Sequence, residues 1–176
     1  QAWVYRPSAT GGRPSAEVTP IVVSGVMYIT AGNRVVALEP ETGKEIWRYE
    51  VQNGQPSQRG VAYWPGDPDH PPRILFTAGR RLMALNAITG EAPTGFGNNG
   101  EVDMNVGYGG VPTIYKNVAM VGAAVGEYAP LGPAGDSRGF DVRDGKKVWD
   151  FHSVPRPGEP GHESWEGDSW KERSGV

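Results

Sequence analysis

Cysteine is absent from the 176-residue sequence. Disulfides, thiolate metal sites, thiol nucleophiles and the CxxCH motif that attaches haem are therefore excluded. Long apolar runs are also missing, since none approaches the roughly 18 residues that a membrane-spanning helix needs. Only three histidines are present, too few for a histidine-rich metal centre. The segment after Gln1 lacks the charged-then-apolar pattern of a secretory signal, which leaves a cytosolic protein or a processed product as alternatives.

Positive charge is not in excess either. The 17 lysines and arginines face 20 acidic residues, and the formal net charge is −3. A nucleic-acid-binding domain instead concentrates basic residues on one surface. We therefore expect no nucleic-acid partner.

Glycine, proline and aromatic residues, by contrast, are plentiful. The 26 glycines and 16 prolines approach the proportion at which chains tend to be disordered. The 6 Trp, 7 Tyr and 4 Phe, however, provide more aromatic surface than disordered chains carry. Turn-rich β structure accounts for both observations, and no segment shows the periodicity of an amphipathic helix.

One pattern occurs three times along the chain: an alternating apolar run, a polar turn that ends in glycine, and a second run. It occupies residues 35–50, 82–96 and 138–152. The turn glycines are Gly43, Gly90 and Gly145. Glycine tolerates the positive φ that such a chain reversal requires. A period of about 50 residues is typical of solenoids, propellers and repeat arrays.

Each hairpin is preceded by another pair of strand-like runs, which predicts an all-β fold with up to four short antiparallel strands per unit, the content of a propeller blade. The units cover roughly residues 15–52, 60–100 and 105–152. A Pro- and Gly-rich tail, an ordered excursion or a loop, covers 153–176. Trp47 and Trp149 follow their turn glycines by the same number of residues and should occupy equivalent places, whereas the second unit has Thr94 there.

Three blades do not close a ring. Open sheets have edges that must be paired or covered. We therefore expect the array to depend on further sequence, on a partner chain, or on several copies that close a ring together.

More specific strings narrow the family. The signature ALEPETGKEIW at 37–47, the stretch RGVAYWPGD at 59–67 and the tail at 151–170 resemble segments of pyrroloquinoline quinone (PQQ)-dependent alcohol and glucose dehydrogenases. The resemblance implies an eight-bladed β-propeller with PQQ and Ca²⁺ on its axis, of which this chain supplies about three blades. It also implies oxidation of a sugar or alcohol hydroxyl, with an aspartate as general base and hydride transfer to the quinone, in the periplasm or another exported location.

The resemblance also points to three site residues. Glu17 matches a glutamate that hydrogen-bonds PQQ, Arg59 an arginine that pairs with a PQQ carboxylate, and Glu127 a glutamate that ligates Ca²⁺. A guanidinium suits a carboxylate because it offers two parallel donors. Without the resemblance, Glu17 and Arg59 would equally fit exposed side chains at a strand entry and a turn. One carboxylate is also not a Ca²⁺ site, since that ion takes several oxygen ligands.

The chain departs from the family pattern at two places. Ala124 stands where the family has a small hydroxyl residue, and residues 55–58 replace a cysteine pair found in many alcohol-oxidising members. The general base and the tryptophan under the quinone are expected beyond Val176, and Asp168 does not substitute for that base. His162 lies outside an HExxH motif and fits a structural role. No catalytic residue is assigned, and we do not expect these residues to be active alone.

Two readings of the function remain. The first is a piece of a quinoprotein dehydrogenase, acting on a sugar or alcohol, that contributes part of the cofactor pocket. The alternative is a non-catalytic propeller module for binding or assembly, which Ala124 favours because its methyl group cannot make the hydroxyl contact.

Overall fold

The computed structural model describes residues 2–6, 17–126 and 131–175. Within these ranges the chain forms twelve strands in three antiparallel sheets of four, together with one 3-10 turn at His162–Ser164. No α-helix occurs in the described ranges, and none of their helical segments is long and apolar enough to cross a membrane. The prediction of an all-β array of four-stranded units is confirmed.

The strands of each sheet follow one another along the chain and pair with their sequence neighbours. The first sheet contains β1 (Ile21–Val23), β2 (Val26–Ala31), β3 (Arg34–Leu38) and β4 (Glu45–Glu50). The second contains β5 (Ala62–Trp64), β6 (Arg73–Ala78), β7 (Arg81–Asn86) and β8 (Glu101–Asp103). The third contains β9 (Thr113–Tyr115), β10 (Val118–Val121), β11 (Ser137–Asp141) and β12 (Lys147–Phe151).

The turn that follows the third strand of each sheet has the same geometry in all three units. Each turn glycine has a φ between 73° and 76° and donates its N–H to the carbonyl four residues earlier. The pairs are Gly43 to Glu39 at 2.8 Å, Gly90 to Asn86 at 2.9 Å, and Gly145 to Asp141 at 2.9 Å. The glycines identified from the sequence therefore make the predicted reversals, in the left-handed backbone region that favours glycine.

The fourth strand of the second sheet lies elsewhere than the sequence pattern suggests. The pattern places the second run within residues 82–96, but residues 91–100 form no strand and β8 begins at Glu101. The reason is local, because Pro93 cannot donate to a strand ladder and three glycines follow it before Glu101. This segment instead contacts the third unit, where Gly97 donates its N–H to the Asp144 carbonyl at 2.9 Å.

Tryptophan side chains join the turns to a neighbouring segment. Trp47 on β4 covers Gly90, where an added Cβ would lie 2.7 Å from the indole ring, and its Nε1–H donates to the Ala87 carbonyl at 3.0 Å. Trp3 covers Gly43 in the same way and donates to the carbonyl of Pro40 at 3.0 Å. Pro40 and Ala87 hold the same place in their turns. The sheets therefore meet through an N–H donor directed at a turn carbonyl.

The contact between the second and third sheets uses a different donor. The guanidinium of Arg73, which is 3% exposed, donates from Nη1 to the carbonyls of Val142 at 2.7 Å and Arg143 at 2.6 Å. Its cationic carbon lies 5.9 Å and 5.7 Å from the ring centres of Trp64 and Phe96. Val142 occupies the same turn position as Pro40 and Ala87. Because the second unit lacks the tryptophan, Arg73 supplies the N–H donor that an indole supplies at the other two turns.

Two apolar clusters fill the space between neighbouring sheets. The first includes Tyr28, Val35 and Phe76, and the second includes Leu82 and Phe140. All six residues of β6 are buried, because the second sheet is covered on both faces. The aromatic and aliphatic surface removed from water here is the main stabilising contribution of such an array.

The outer strand of the third sheet is uncovered. Every residue of β12 is exposed, whereas alternate residues of β4 are partly buried. Trp149 lies opposite Gly139 as Trp47 lies opposite Ala37, so the predicted equivalence of the two tryptophans is confirmed. Phe151 is 66% exposed, which leaves an apolar strip along this strand.

The tail after β12 is an ordered excursion that returns to the third sheet. The buried Asp136 carboxylate accepts a hydrogen bond from the Ser153 N–H at 3.1 Å and forms an ion pair with Arg156 at 3.4 Å. Nδ1 of His162 lies 3.1 Å from the Pro155 carbonyl, and its ring meets the edge of Trp170. These contacts agree with a structural interpretation of His162.

An ion pair in the turn of the third unit should make the stability of the fold sensitive to acid. The side chain of Arg143 donates to the Asp141 carboxylate and holds its pKa below the ordinary value of 3.8. A carboxyl group whose pKa is lower in the folded state than in the unfolded state stabilises the fold at pH values above its unfolded pKa. For Asp141 this stabilisation is lost as the pH falls below 3.8 and through the folded-state pKa. We expect the urea midpoint to fall over this interval.

The variant Asp141→Asn keeps a turn acceptor but removes the titrating group. Its urea midpoint is expected to depend less steeply on pH than that of the wild-type chain. Asp69→Asn is the control, because the carboxylate of Asp69 accepts no hydrogen bond from a described residue. Equal slopes for Asp141→Asn and the wild type would contradict the assignment.

Candidate functional site

The first strands of the three sheets begin close to one another. The Thr19 N–H donates to the Arg59 carbonyl at 3.3 Å, and Thr19 bridges Gly60 in parallel. Gly60 has a φ of 115°, and an added Cβ would lie 2.7 Å from the Thr19 carbonyl oxygen. Only glycine allows this approach without strain, so the backbone entering β5 is fixed against the backbone entering β1.

Two buried hydroxyls attach the entry of the third sheet to the second. Ser57 donates to the Gly109 carbonyl at 2.6 Å, and Thr77 donates to the Gly110 carbonyl at 2.9 Å. The Ser57 oxygen also accepts the Arg59 N–H at 3.2 Å. Ser57 therefore positions both Arg59 and the glycine pair, and the three strand entries form one connected wall.

Two adjoining cavities lie at this wall. The larger has a volume of about 670 Å³ and the smaller about 410 Å³, both open to solvent. Volumes of this order suit a small organic ligand or cofactor. The residues that line both are Arg59, Tyr108, Gly109 and Ala124.

Arg59 is exposed, and its backbone is held by Thr19 and Ser57. Its guanidinium makes no hydrogen bond or ion pair with any residue that the structure describes. Other arginines of the array are engaged, for example Arg81 with Glu101 at 2.9 Å. A positioned backbone with an unpaired guanidinium is the arrangement expected of a site for an anionic group.

Glu17 lines the smaller cavity together with Arg59. The structure thus brings two of the predicted site residues to one cavity, from segments about 40 residues apart. No ion pair joins the two side chains, so each can serve a ligand. Their roles as cofactor ligands stay predictions.

The third predicted site residue, Glu127, lies outside the described residues. Ala124 directs only a methyl side chain toward the cavities, and its N–H is taken by the Gly107 carbonyl at 2.6 Å. Among residues 2–6, 17–126 and 131–175, no group of three or more acidic, histidine or cysteine side chains could hold a metal ion. The Ca²⁺ assignment therefore remains a prediction from the resemblance.

Comparison with known proteins decides the family. The family model described as the β-propeller domain of PQQ-dependent glucose, ethanol and alcohol dehydrogenases matches residues 1–176. The chain belongs to this family. Membership agrees with the resemblance drawn from the sequence strings and with the four-stranded sheets.

Individual relatives carry both alcohol and sugar names. The chain is 33% identical to a glycerol dehydrogenase large subunit of Gluconobacter oxydans, over 86% of this chain and 23% of the relative. It is 32% identical to quinoprotein glucose dehydrogenase A of Acinetobacter calcoaceticus, over 80% of this chain and 22% of the relative. The chain thus spans less than a quarter of the length of these curated relatives.

A solved quinohemoprotein alcohol dehydrogenase of Pseudomonas putida has a similar structure. The superposition has a TM-score of 0.69 and 29% sequence identity, and it covers 90% of this chain and 25% of that chain. The three sheets therefore correspond to part of a PQQ-dependent dehydrogenase propeller.

Sequence reasoning missed three residues of the wall. Ser57 and Thr77 are small polar residues in segments that carry many such residues, and nothing in their spacing marks them. Tyr108 had a weak signal, because it directly precedes the pair Gly109 and Gly110 at the entry to a predicted strand. Because glycines have no side chain, an aromatic ring that precedes them in the sequence can pack directly against their backbone.

Proposed function

We propose that this chain forms part of a quinoprotein dehydrogenase that oxidises a sugar or alcohol hydroxyl with PQQ and Ca²⁺, and that it contributes the Glu17 and Arg59 side of the PQQ site. The observation that carries the proposal is the unpaired Arg59 guanidinium at a cavity where three sheets meet. Family membership supplies the cofactor class.

The residues present fit a flat anionic cofactor. Arg59 offers two parallel N–H donors to a carboxylate. Glu17 also lines the smaller cavity and can accept a hydrogen bond from a polar group of a ligand there. Small residues at 109, 110 and 124 leave room for a planar ring system beside the backbone.

Bound PQQ would supply the hydride acceptor, and this chain would bind and orient it. Arg59 would fix one carboxylate, while Ser57 and Thr77 keep the cavity wall in place. Glu127 is our candidate Ca²⁺ ligand, with further oxygen ligands from outside this chain. The general base is likewise assigned to the remainder of the protein.

We infer that the apolar strip on β12 contacts a further propeller blade or another chain. Trp149 lies in the register of Trp47, yet its Nε1–H donates to no residue in the described ranges. Trp47 covers the turn glycine of the next unit, whereas the ring of Trp149 lies against Gly139 of its own sheet. The uncovered strand favours a continuing array. Family membership, rather than this strand, supports a periplasmic or otherwise exported location.

A PQQ titration followed by absorbance tests the cofactor site. The wild-type chain is expected to bind saturably. Arg59→Ala should bind at least about ten-fold more weakly, because a charge-assisted hydrogen bond contributes roughly 1.5–3 kcal/mol. The matched control is Arg48→Ala, which removes an exposed arginine that lines neither cavity.

Equal weakening by the two variants would refute a specific role for Arg59. The complete gene product should in addition reduce a dye with an aldose or alcohol only when PQQ and Ca²⁺ are supplied. A wild-type chain that fails to bind PQQ, together with an inactive complete protein, would support the alternative of a non-catalytic binding or assembly module.

A further inference from the structure

We propose that Tyr108 is a PQQ-binding residue whose phenolic hydroxyl donates a hydrogen bond to the cofactor. The inference deepens the proposed function and rests on it. It assigns to Tyr108 a hydroxyl contact that the methyl group of Ala124, on the same cavity wall, cannot make.

Tyr108 is placed at the centre of the site. It lies between β8 and β9, and its N–H donates to the Gly79 carbonyl at 3.1 Å. The half-buried side chain lines both cavities, as Arg59 does. A ligand that binds beside Arg59 in either cavity can therefore reach Tyr108 as well.

The Tyr108 ring lies against two glycines. A Cβ added at Gly110 would overlap the Tyr108 hydroxyl, and a Cβ added at Gly122 would lie 3.4 Å from its ring. Neither glycine has the positive φ that would itself require glycine. Position 110 thus needs the absence of a side chain to accommodate the ring, whereas a Cβ at position 122 would make an ordinary van der Waals contact with it.

The Tyr108 hydroxyl has no hydrogen-bond partner among the described residues. Tyr28 donates to the Ala87 carbonyl and Tyr5 to the Glu45 carboxylate, both at 3.1 Å. The half-buried Tyr49 and Tyr63 also lack a hydrogen-bond partner among the described residues, but they line neither cavity. A half-buried hydroxyl with an open donor at a cavity wall is suited to a ligand oxygen. The carboxylates and carbonyls of PQQ present such oxygens.

The test is a PQQ titration of Tyr108→Phe, which removes one oxygen and keeps the ring. We expect about ten-fold weaker binding than wild type, as for loss of a hydrogen bond to a charged group. Tyr115→Phe is the matched control, since Tyr115 is 64% exposed and lines neither cavity; it should bind as the wild type does. Unchanged thermal unfolding of Tyr108→Phe would show that the fold is intact.

A second substitution checks the assignment of the hydroxyl. Ala124→Ser adds a hydroxyl on the same wall and should restore part of the affinity that Tyr108→Phe loses. If the wild type binds PQQ and Arg59→Ala weakens it, but Tyr108→Phe binds normally, the Tyr108 inference is wrong and the proposed function stands. If the wild type does not bind PQQ at all, both are overturned.

Discussion

Replacement of Arg73 by alanine is expected to lower the free energy of unfolding by about 3–5 kcal/mol. The variant leaves the carbonyls of Val142 and Arg143 without their buried donor, and it leaves space beneath Trp64 and Phe96. An unsatisfied buried polar group costs roughly 1–3 kcal/mol, and a cavity adds to that loss. Urea unfolding followed by tryptophan fluorescence measures the change.

Arg80→Ala provides the comparison. Arg80 also pairs through its guanidinium, but both it and its partner Asp103 are exposed. Exposed pairs contribute little because water screens them, so this variant should unfold almost as the wild type does. A loss for Arg73→Ala no larger than that for Arg80→Ala would show that the guanidinium does not join the second and third sheets.

Gly90→Ala should cost about 2–5 kcal/mol, the second large effect. Alanine is strained at the φ of 76° found here, and its methyl group would meet the Trp47 ring at 2.7 Å. The backbone penalty is about 1–2 kcal/mol, and forcing apart a packed contact adds roughly 1–3 kcal/mol. The same urea experiment applies.

Gly32→Ala separates the two causes. Gly32 has a φ of 62° but nothing within 4 Å of an added Cβ, so this variant carries the backbone penalty alone. The larger loss should therefore belong to Gly90→Ala. Trp47→Ala combined with Gly90→Ala should lose less than the sum of the two single variants, because the clash is gone. Equal losses at the two glycines would count against the packing argument.

The repeated hairpins were predictable because their signals are local. Alternation of apolar residues and a glycine at each reversal are sufficient to predict the turns at Gly43, Gly90 and Gly145, and the structure has them. The late start of β8 was not predictable from the same pattern. A proline and several glycines delay the strand, and contact with the third unit at Asp144 accommodates the loop.

Contacts between units were much less predictable. Arg73 begins a strand, where a charged residue ordinarily faces solvent. Its burial depends on two carbonyls about 70 residues further along the chain, which no periodicity reveals. Ser57 presents the same difficulty, because its partner Gly109 lies in the next unit.

The candidate site was predictable only through resemblance. Composition and spacing place Glu17 and Arg59 at unremarkable strand entries, and the family strings alone suggested a shared ligand. The structure adds that both line one cavity. It also adds Tyr108, whose position depends on the space left by Gly110 rather than on any sequence period.

The turn carbonyls of Pro40, Ala87 and Val142 have a consequence for how such arrays diverge. Each accepts an N–H from a neighbouring segment, but the donor is an indole twice and a guanidinium once. Since the acceptor is main chain, substitution of the residue that carries it leaves the acceptor in place. Both the donor residue and the residue that carries the turn carbonyl can therefore be substituted during evolution, provided that one buried N–H still reaches that carbonyl.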